Sequence, residues 1–127
     1  MQYCEVNNKQ ADIFASSNTR LFKKNQVIYE QEQKTSKIFV ILDGTVESFS
    51  SNKSKSNFTL QKGSSLGLID TILERPYSRN IIARSNVSVA IIEKRIIHNI
   101  LKENPIAAVL IKSLAIDIDN KFPEVWS

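Results

Sequence analysis

The chain has 127 residues, 42% hydrophobic and 24% charged, which fits one compact domain with a real core and excludes a disordered chain. A net charge of +4, from 17 Lys and Arg against 13 Asp and Glu, favours anionic ligands but is too mild and scattered to argue for DNA. Cys4 is the sole cysteine and excludes an intrachain disulfide; with no signal core, and no apolar run near the ~18–20 residues of a membrane span, a soluble cytoplasmic protein is expected.

Residues 2–17 are weakly patterned, and Ala11, Ile13, Phe14 and Ala15 predict one or two helical turns. Strands are predicted over Thr19 to Phe22, Gln26 to Tyr29 and Ile38 to Leu42, the last a β-branched and aromatic run suited to burial. Asp43-Gly44 is the strongest turn signal, read as a tight hairpin with Thr45 to Phe49 as the returning partner strand. The polar run SSNKSKSN, residues 50–57, is a solvated hairpin loop before a strand at Phe58 to Leu60. After the segment SSLGLIDTILERPYSRNIIA, residues 64–83, strands Asn80 to Arg84 and Val87 to Ile92 turn at Ser85-Asn86.

From Lys94 the period changes: Ile96, Ile97, Ile100 and Leu101 share one helical face. Asn104 as N-cap and Pro105 at the first helical position start a second helix running to about Asn120 and stopped by Phe122-Pro123. Apolar residues spread around more than one face of that helix, which calls for a second burial surface, most simply another copy of the chain; Phe122 and Trp126 extend that contact or pack back on the fold. The expected fold is mainly β: an antiparallel, jelly-roll-like β-roll at about 19–93, with a short N-terminal helix and two closing helices at about 94–121, forming one domain over 1–127.

Four stretches together resemble the cyclic-nucleotide-binding domain, over roughly three quarters of the chain, Phe22 to Ala115. They are NQVIYEQ with SKIFVILDGTVE, LQKGSSLG, ERPYSRNIIARSNVSVAIIEK, and RIIHNILKENPIAAVLIKSLA. The resemblance implies a β-roll with terminal helices and a phosphate-binding cassette, here Gly63 to Ser78. It implies that a glycine lets the backbone approach the sugar-phosphate, an acidic residue takes the ribose 2′-hydroxyl, and an arginine after the cassette proline pairs with the cyclic phosphate beside a Ser or Thr. Here the glycine is Gly67 and the hydroxyl is Ser78, but Leu68 holds the acidic position, Tyr77 the arginine position and Arg79 that of a small residue. Asn25 and Glu32 stand where the family has hairpin glycines; Asn tolerates left-handed backbone, whereas Glu32 predicts a different turn.

Leucine accepts no hydrogen bond, and a neutral phenol does not replace a guanidinium fork. Losing both contacts weakens binding by about 3–5 kcal/mol, which argues against high-affinity cAMP or cGMP binding. The candidate ligand site is Gly67, Leu68, Ile69, Tyr77, Ser78 and Arg79, with Ile41, Val46 and Ile82 as walls. Arg79 or Arg75 either restores the missing charge or is a surface residue paired with Glu74 or Asp70. The amides of Leu68 and Ile69 offer an anion site at a helix start, which Asp70 opposes; Ser64 and Ser65 read as helix caps.

His98, the only histidine, lies mid-helix with no triad or metal-ligand spacing, and no phosphate loop, Cys pair or HExxH pattern occurs. No enzyme, metal or cofactor is expected. The expectation is a regulatory or sensor module for a small-molecule anion, dimeric through its last helix, with no membrane contact. A ligand-free dimerisation or protein-interaction module on the same fold is the alternative, and part of a transcription regulator the second. For the latter, no DNA-binding domain is expected in this chain, since Ser127 leaves no room for a helix-turn-helix after the closing helix.

Overall fold

The computed structural model describes residues 18–121; the expected N-terminal helix, Cys4, Phe122, Pro123 and Trp126 lie outside the described residues. In chain order the elements are β1 (Asn18–Phe22), β2 (Val27–Tyr29), β3 (Lys37–Asp43), β4 (Thr45–Phe49), β5 (Phe58–Gln61), β6 (Ser65–Leu66), α1 (Leu68–Ile72), β7 (Asn80–Ala83), β8 (Val87–Glu93), α2 (Lys94–Glu103) and α3 (Pro105–Lys121). The strands form two antiparallel four-stranded sheets, ordered β1-β8-β3-β6 and β2-β7-β4-β5. The fold is thus the mainly β, jelly-roll-like architecture that the strand pattern predicts.

Alternation places one face of each strand inside, as in β4, where Val46 and Ser48 are buried and their neighbours are not. Phe22, Phe39, Ile41, Val46, Leu66, Val87 and Val89 meet between the sheets as the core. Burying a side chain of this size contributes about 1.5–3 kcal/mol, so the sandwich interior outweighs any single loop contact.

Asp43-Gly44 does not join partner strands. β3 pairs with β8 and β6, whereas β4 pairs with β5 and β7, so the turn carries the chain from one sheet to the other. The turn at Ser85-Asn86 makes the same crossing, and the two corners lock together: Arg84 N donates to Thr45 O at 2.9 Å and Thr45 N to Ser85 Oγ at 3.0 Å. Gly44 has φ +96°, and a Cβ there would press on Asn86 O and lie 2.9 Å from Val87 Cα. Glu32 also departs from expectation. It adopts left-handed backbone, φ 74°, and keeps the glycine-like turn, because its N–H donates to Tyr77 O at 2.8 Å while Tyr77 N donates to Gln33 O at 2.9 Å.

The helix break falls at Asn104-Pro105 as the sequence predicts. The Asn104 side chain, however, closes the preceding helix, with Nδ2 donating to Ile100 O at 2.8 Å. On its inner side α3 buries only Ala115.

Gly44→Ala combines left-handed strain with a backbone clash and should cost at least about 2 kcal/mol of folding stability. Urea denaturation checks this, and a loss below about 0.5 kcal/mol would show that the corner yields freely.

Candidate functional site

The N-terminal end of the cassette is pinned to β3. Gly63 N donates to Ile41 O and Ile41 N to Ser64 O, each at 2.9 Å, and Ser65 pairs with Val40 in the short ladder of β3 and β6. Ser64 and Ser65 are therefore not helix caps. Gly67 is the N-cap of α1, left-handed at φ 85° and without a side-chain cap bond. Thr71 returns both its N–H, at 3.0 Å, and its hydroxyl, at 2.8 Å, to Gly67 O.

Asp70 turns inward from α1 and is buried. Its carboxylate accepts from Arg75 Nε at 2.7 Å, from Ser78 N at 3.0 Å and from Ser78 Oγ at 3.1 Å. Three donors satisfy a charge that would otherwise cost several kcal/mol to bury. Ser78 thus gives its hydroxyl to Asp70 within the fold. Arg75 also reaches Asp119 on α3 at 2.8 Å, which ties the cassette to the closing helix. Burial works against the Arg75 charge, but hydrogen bonds to Asp119 and Asp70 outweigh it and hold the guanidinium above its ordinary value.

Tyr77 is buried with its ring flat on Tyr29, centroids 3.8 Å apart and planes 12° apart; Tyr29 stacks in turn on Phe39. The Tyr77 hydroxyl donates to Lys37 O at 2.6 Å and accepts from Lys37 N at 3.3 Å. A Cβ at Gly67 would lie 2.8 Å from Tyr77 Cε1. The glycine is needed here so that the Tyr77 ring can approach the backbone.

Arg79 is 2% exposed, which removes the surface reading. Its Nε donates to Ser48 Oγ at 2.7 Å, and its terminal nitrogen to Ser48 O at 3.2 Å and Ser56 O at 2.5 Å, with the guanidinium 4.8 Å from the centre of the Phe58 ring. Burial lowers its pKa from the ordinary value, partly offset by Tyr29. The space left beside Arg79, Gly67, Asp70 and Ser78 is about 20 Å³. That holds roughly one water, whereas small-molecule sites span about 300–1,000 Å³. Leu60, Leu66 and Ile81 form its apolar wall, in place of the expected Ile41, Val46 and Ile82.

The six predicted site residues therefore divide. Gly67, Ser78 and Arg79 line the small cavity, and Tyr77 is packed against Gly67. Leu68 and Ile69 face a separate apolar groove between α1 and the closing helices. The sequence reading missed Ser48, whose hydroxyl and carbonyl hold Arg79; its inward place in the alternation of β4 was the available signal. Among the described residues no group of three or more His, Cys, Asp or Glu is placed to hold a metal, and no helix is long and apolar enough to cross a membrane.

Residues 19–104 match the model of the cyclic nucleotide-binding domain. Among solved structures, the EAL enzyme Bd1971 in its cAMP- and cyclic-di-GMP-bound form is similar at a TM-score of 0.70 and 19% identity, over 81% of this chain and 28% of that one. A Geobacter metallireducens GS-15 protein assigned to cyclic nucleotide binding is similar at 0.65 and 21%, over 88% and 83%. The regulatory subunit of a cAMP-independent protein kinase A from Trypanosoma cruzi, bound to guanosine, is similar at 0.56 and 16%, over 61% and 29%. The chain thus spans less than a third of the Bd1971 and Trypanosoma chains, and at these identities the likeness establishes the fold alone. Comparison with curated proteins finds no sequence match.

Two measurements probe this geometry. Burial first, then Asp70 and Tyr77, push the Tyr29 phenol far above its ordinary value of 10.0, with Arg79 opposing. The unfolded chain loses that proton near pH 10 and the folded chain keeps it. The Tyr29 contribution is therefore intact below about pH 10 and falls as pH rises, by up to about 1.4 kcal/mol per pH unit. Urea denaturation at about pH 9 and pH 11 should show the fall, and Tyr29→Phe should make it shallower. Leu68→Glu places a carboxylate in the apolar groove and should cost about 1–3 kcal/mol by thermal denaturation, with no gain in cAMP affinity. A variant that binds cAMP more tightly would place residue 68 at the nucleotide pocket.

Proposed function

The chain belongs to the cyclic nucleotide-binding domain family, and from that premise we propose a non-catalytic, cytoplasmic regulatory module whose nucleotide pocket is occupied by its own side chains. Its output runs through α3 to a second copy of the chain. The small cavity carries this reading: with Arg79 bonded to Ser48 and Ser56 and the Tyr77 ring stacked on Tyr29 and against Gly67, about 20 Å³ remains beside the cassette. The regulatory subunit of a cAMP-independent kinase from Trypanosoma cruzi, similar in fold, lends support to a regulatory role, and its guanosine-bound form bears on the second reading below.

The self-association rests on α3. Ile106 is 79% exposed and Leu110 65%, and Val109, Leu114 and Ile116 are exposed beside them. A helix apolar on several sides is stable in water when a second surface covers it. Across a two-fold axis this stripe meets its own copy, so one apolar line satisfies both partners.

A second reading keeps a ligand. Arg79 and Ser78 both border the cavity, so a small anion that displaced the bonds to Ser48 and Ser56 would meet a guanidinium.

Calorimetry with cAMP, cGMP and inorganic phosphate should give no binding heat. A Kd tighter than about 100 µM for any of them, lost in Arg79→Ala, would replace the first reading with the second. Sedimentation equilibrium should show a dimer that Leu110→Glu converts to monomer with an unchanged circular dichroism spectrum. A monomeric unaltered chain at ~100 µM would remove the self-association.

A further inference from the structure

The groove behind the cassette is distinct from the nucleotide pocket. It encloses about 340 Å³ and is lined by aliphatic side chains, among them Leu68 and Ile72 of α1, Leu101 of α2, and Ile111, Ala115 and Ile118 of α3. The inner residues of α1, Asp70 and Thr71, face the roll instead, so the short helix is a wall shared by two separate spaces. At Ile72 and Leu101 the groove adjoins a second hollow of about 450 Å³, where Lys102, Lys112, His98 and Glu74 join the apolar Ala108 and Val109 at the border. Two lysines against one carboxylate leave this mouth net positive. His98 Nε2 is buried there and has no hydrogen-bond partner among the described residues.

An apolar trough leading to a cationic mouth has the polarity of an amphiphilic anion. We propose that the groove binds a free single-chain aliphatic carboxylate, with the tail along Leu68, Ile111 and Ile118 and the carboxylate at Lys102 and Lys112. A small shift of the imidazole would give His98 Nε2 an acceptor in the same head group. The groove volume lies within the usual range for small-molecule sites, about 300–1,000 Å³. The proposal also gives Leu68 a role: at a position where the family resemblance implies an acidic residue, a leucine extends the apolar wall. It does not depend on closure of the nucleotide pocket, nor on pairing through α3.

The test uses the full chain and a series of carboxylates below their micellar concentrations. Affinity should rise by up to about fourfold per methylene from octanoate to dodecanoate, at one ligand per chain, with a raised Tm. Ile111→Trp fills the trough and should weaken dodecanoate binding at least about tenfold. The Lys102→Glu and Lys112→Glu pair should weaken dodecanoate by about three- to tenfold and leave dodecanol unchanged. If Ile111→Trp lowers the helix content, this exposed lysine pair carries the test.

Four results overturn the proposal. The first is no binding of dodecanoate, and the second is binding that none of these substitutions alters. The third is association only with phosphatidylserine vesicles, which would make the basic mouth a membrane contact. Loss of dodecanoate binding in the monomeric Leu110→Glu chain would likewise overturn it, by placing the ligand at the interface between copies.

Discussion

The Tyr77 ring lies flat on Tyr29 with its edge against the bare backbone of Gly67, and most of the cassette is arranged around that contact. The ring needs a neighbour without a Cβ, which fixes a glycine at the start of α1. The Tyr77 hydroxyl holds Lys37 at the start of β3, and its main chain holds the left-handed turn at Glu32 and Gln33. Three segments therefore converge on one residue, two on its side chain and one on its main chain. Offset ring stacking contributes about 0.5–1.5 kcal/mol beyond area burial, but truncating such a ring costs more, about 3–5 kcal/mol, because the void stays open.

The charges follow the same logic. Asp70 is buried beneath the cassette and carries Ser78 and Arg75 with it, and Arg75 extends the connection to Asp119 on α3. Removing one member leaves a buried charge uncompensated, which typically costs about 3–5 kcal/mol. Arg75 thereby links α3 to the cassette, beside the direct packing of α1 on α3. The groove next to this link has Leu68 as wall, so α1 is bordered by a polar network inside and an aliphatic surface outside.

Much of this was legible in the residues. Seven of the eight strands and the helix break at Asn104-Pro105 are legible in the sequence, because alternation and the proline signal are local. What was missed depends on distant partners. Asp43-Gly44 specifies a tight turn, but a turn does not say whether the next strand pairs with the last or crosses to the other sheet. Glu32 carries a Cβ and was expected to avoid left-handed backbone; its bond to Tyr77, 45 positions later, overrides that preference. Arg79 reads more readily as a surface charge, because its acceptors on Ser48 and Ser56 are ordinary peptide and hydroxyl groups with no charge signature. The strand Ser65–Leu66 is too short for any periodicity to show. Leu68 was placed with the ligand site because its position in the motif is next to Gly67, whereas the first turn of α1 swings it to the opposite side.

The central claim is that the Tyr77 ring stays packed on Tyr29 and against Gly67 in solution, and that cAMP does not displace it. Nuclear Overhauser contacts from the Tyr77 ring to the Gly67 α-protons and the Tyr29 ring test it most directly, recorded before and after addition of about millimolar cAMP, far above the micromolar range of ordinary ligand affinities. The account predicts that these contacts are present and that cAMP leaves both them and the Gly67 amide resonance unchanged. Their absence, or a saturable shift of Gly67 and Tyr77 with added cAMP, would contradict it.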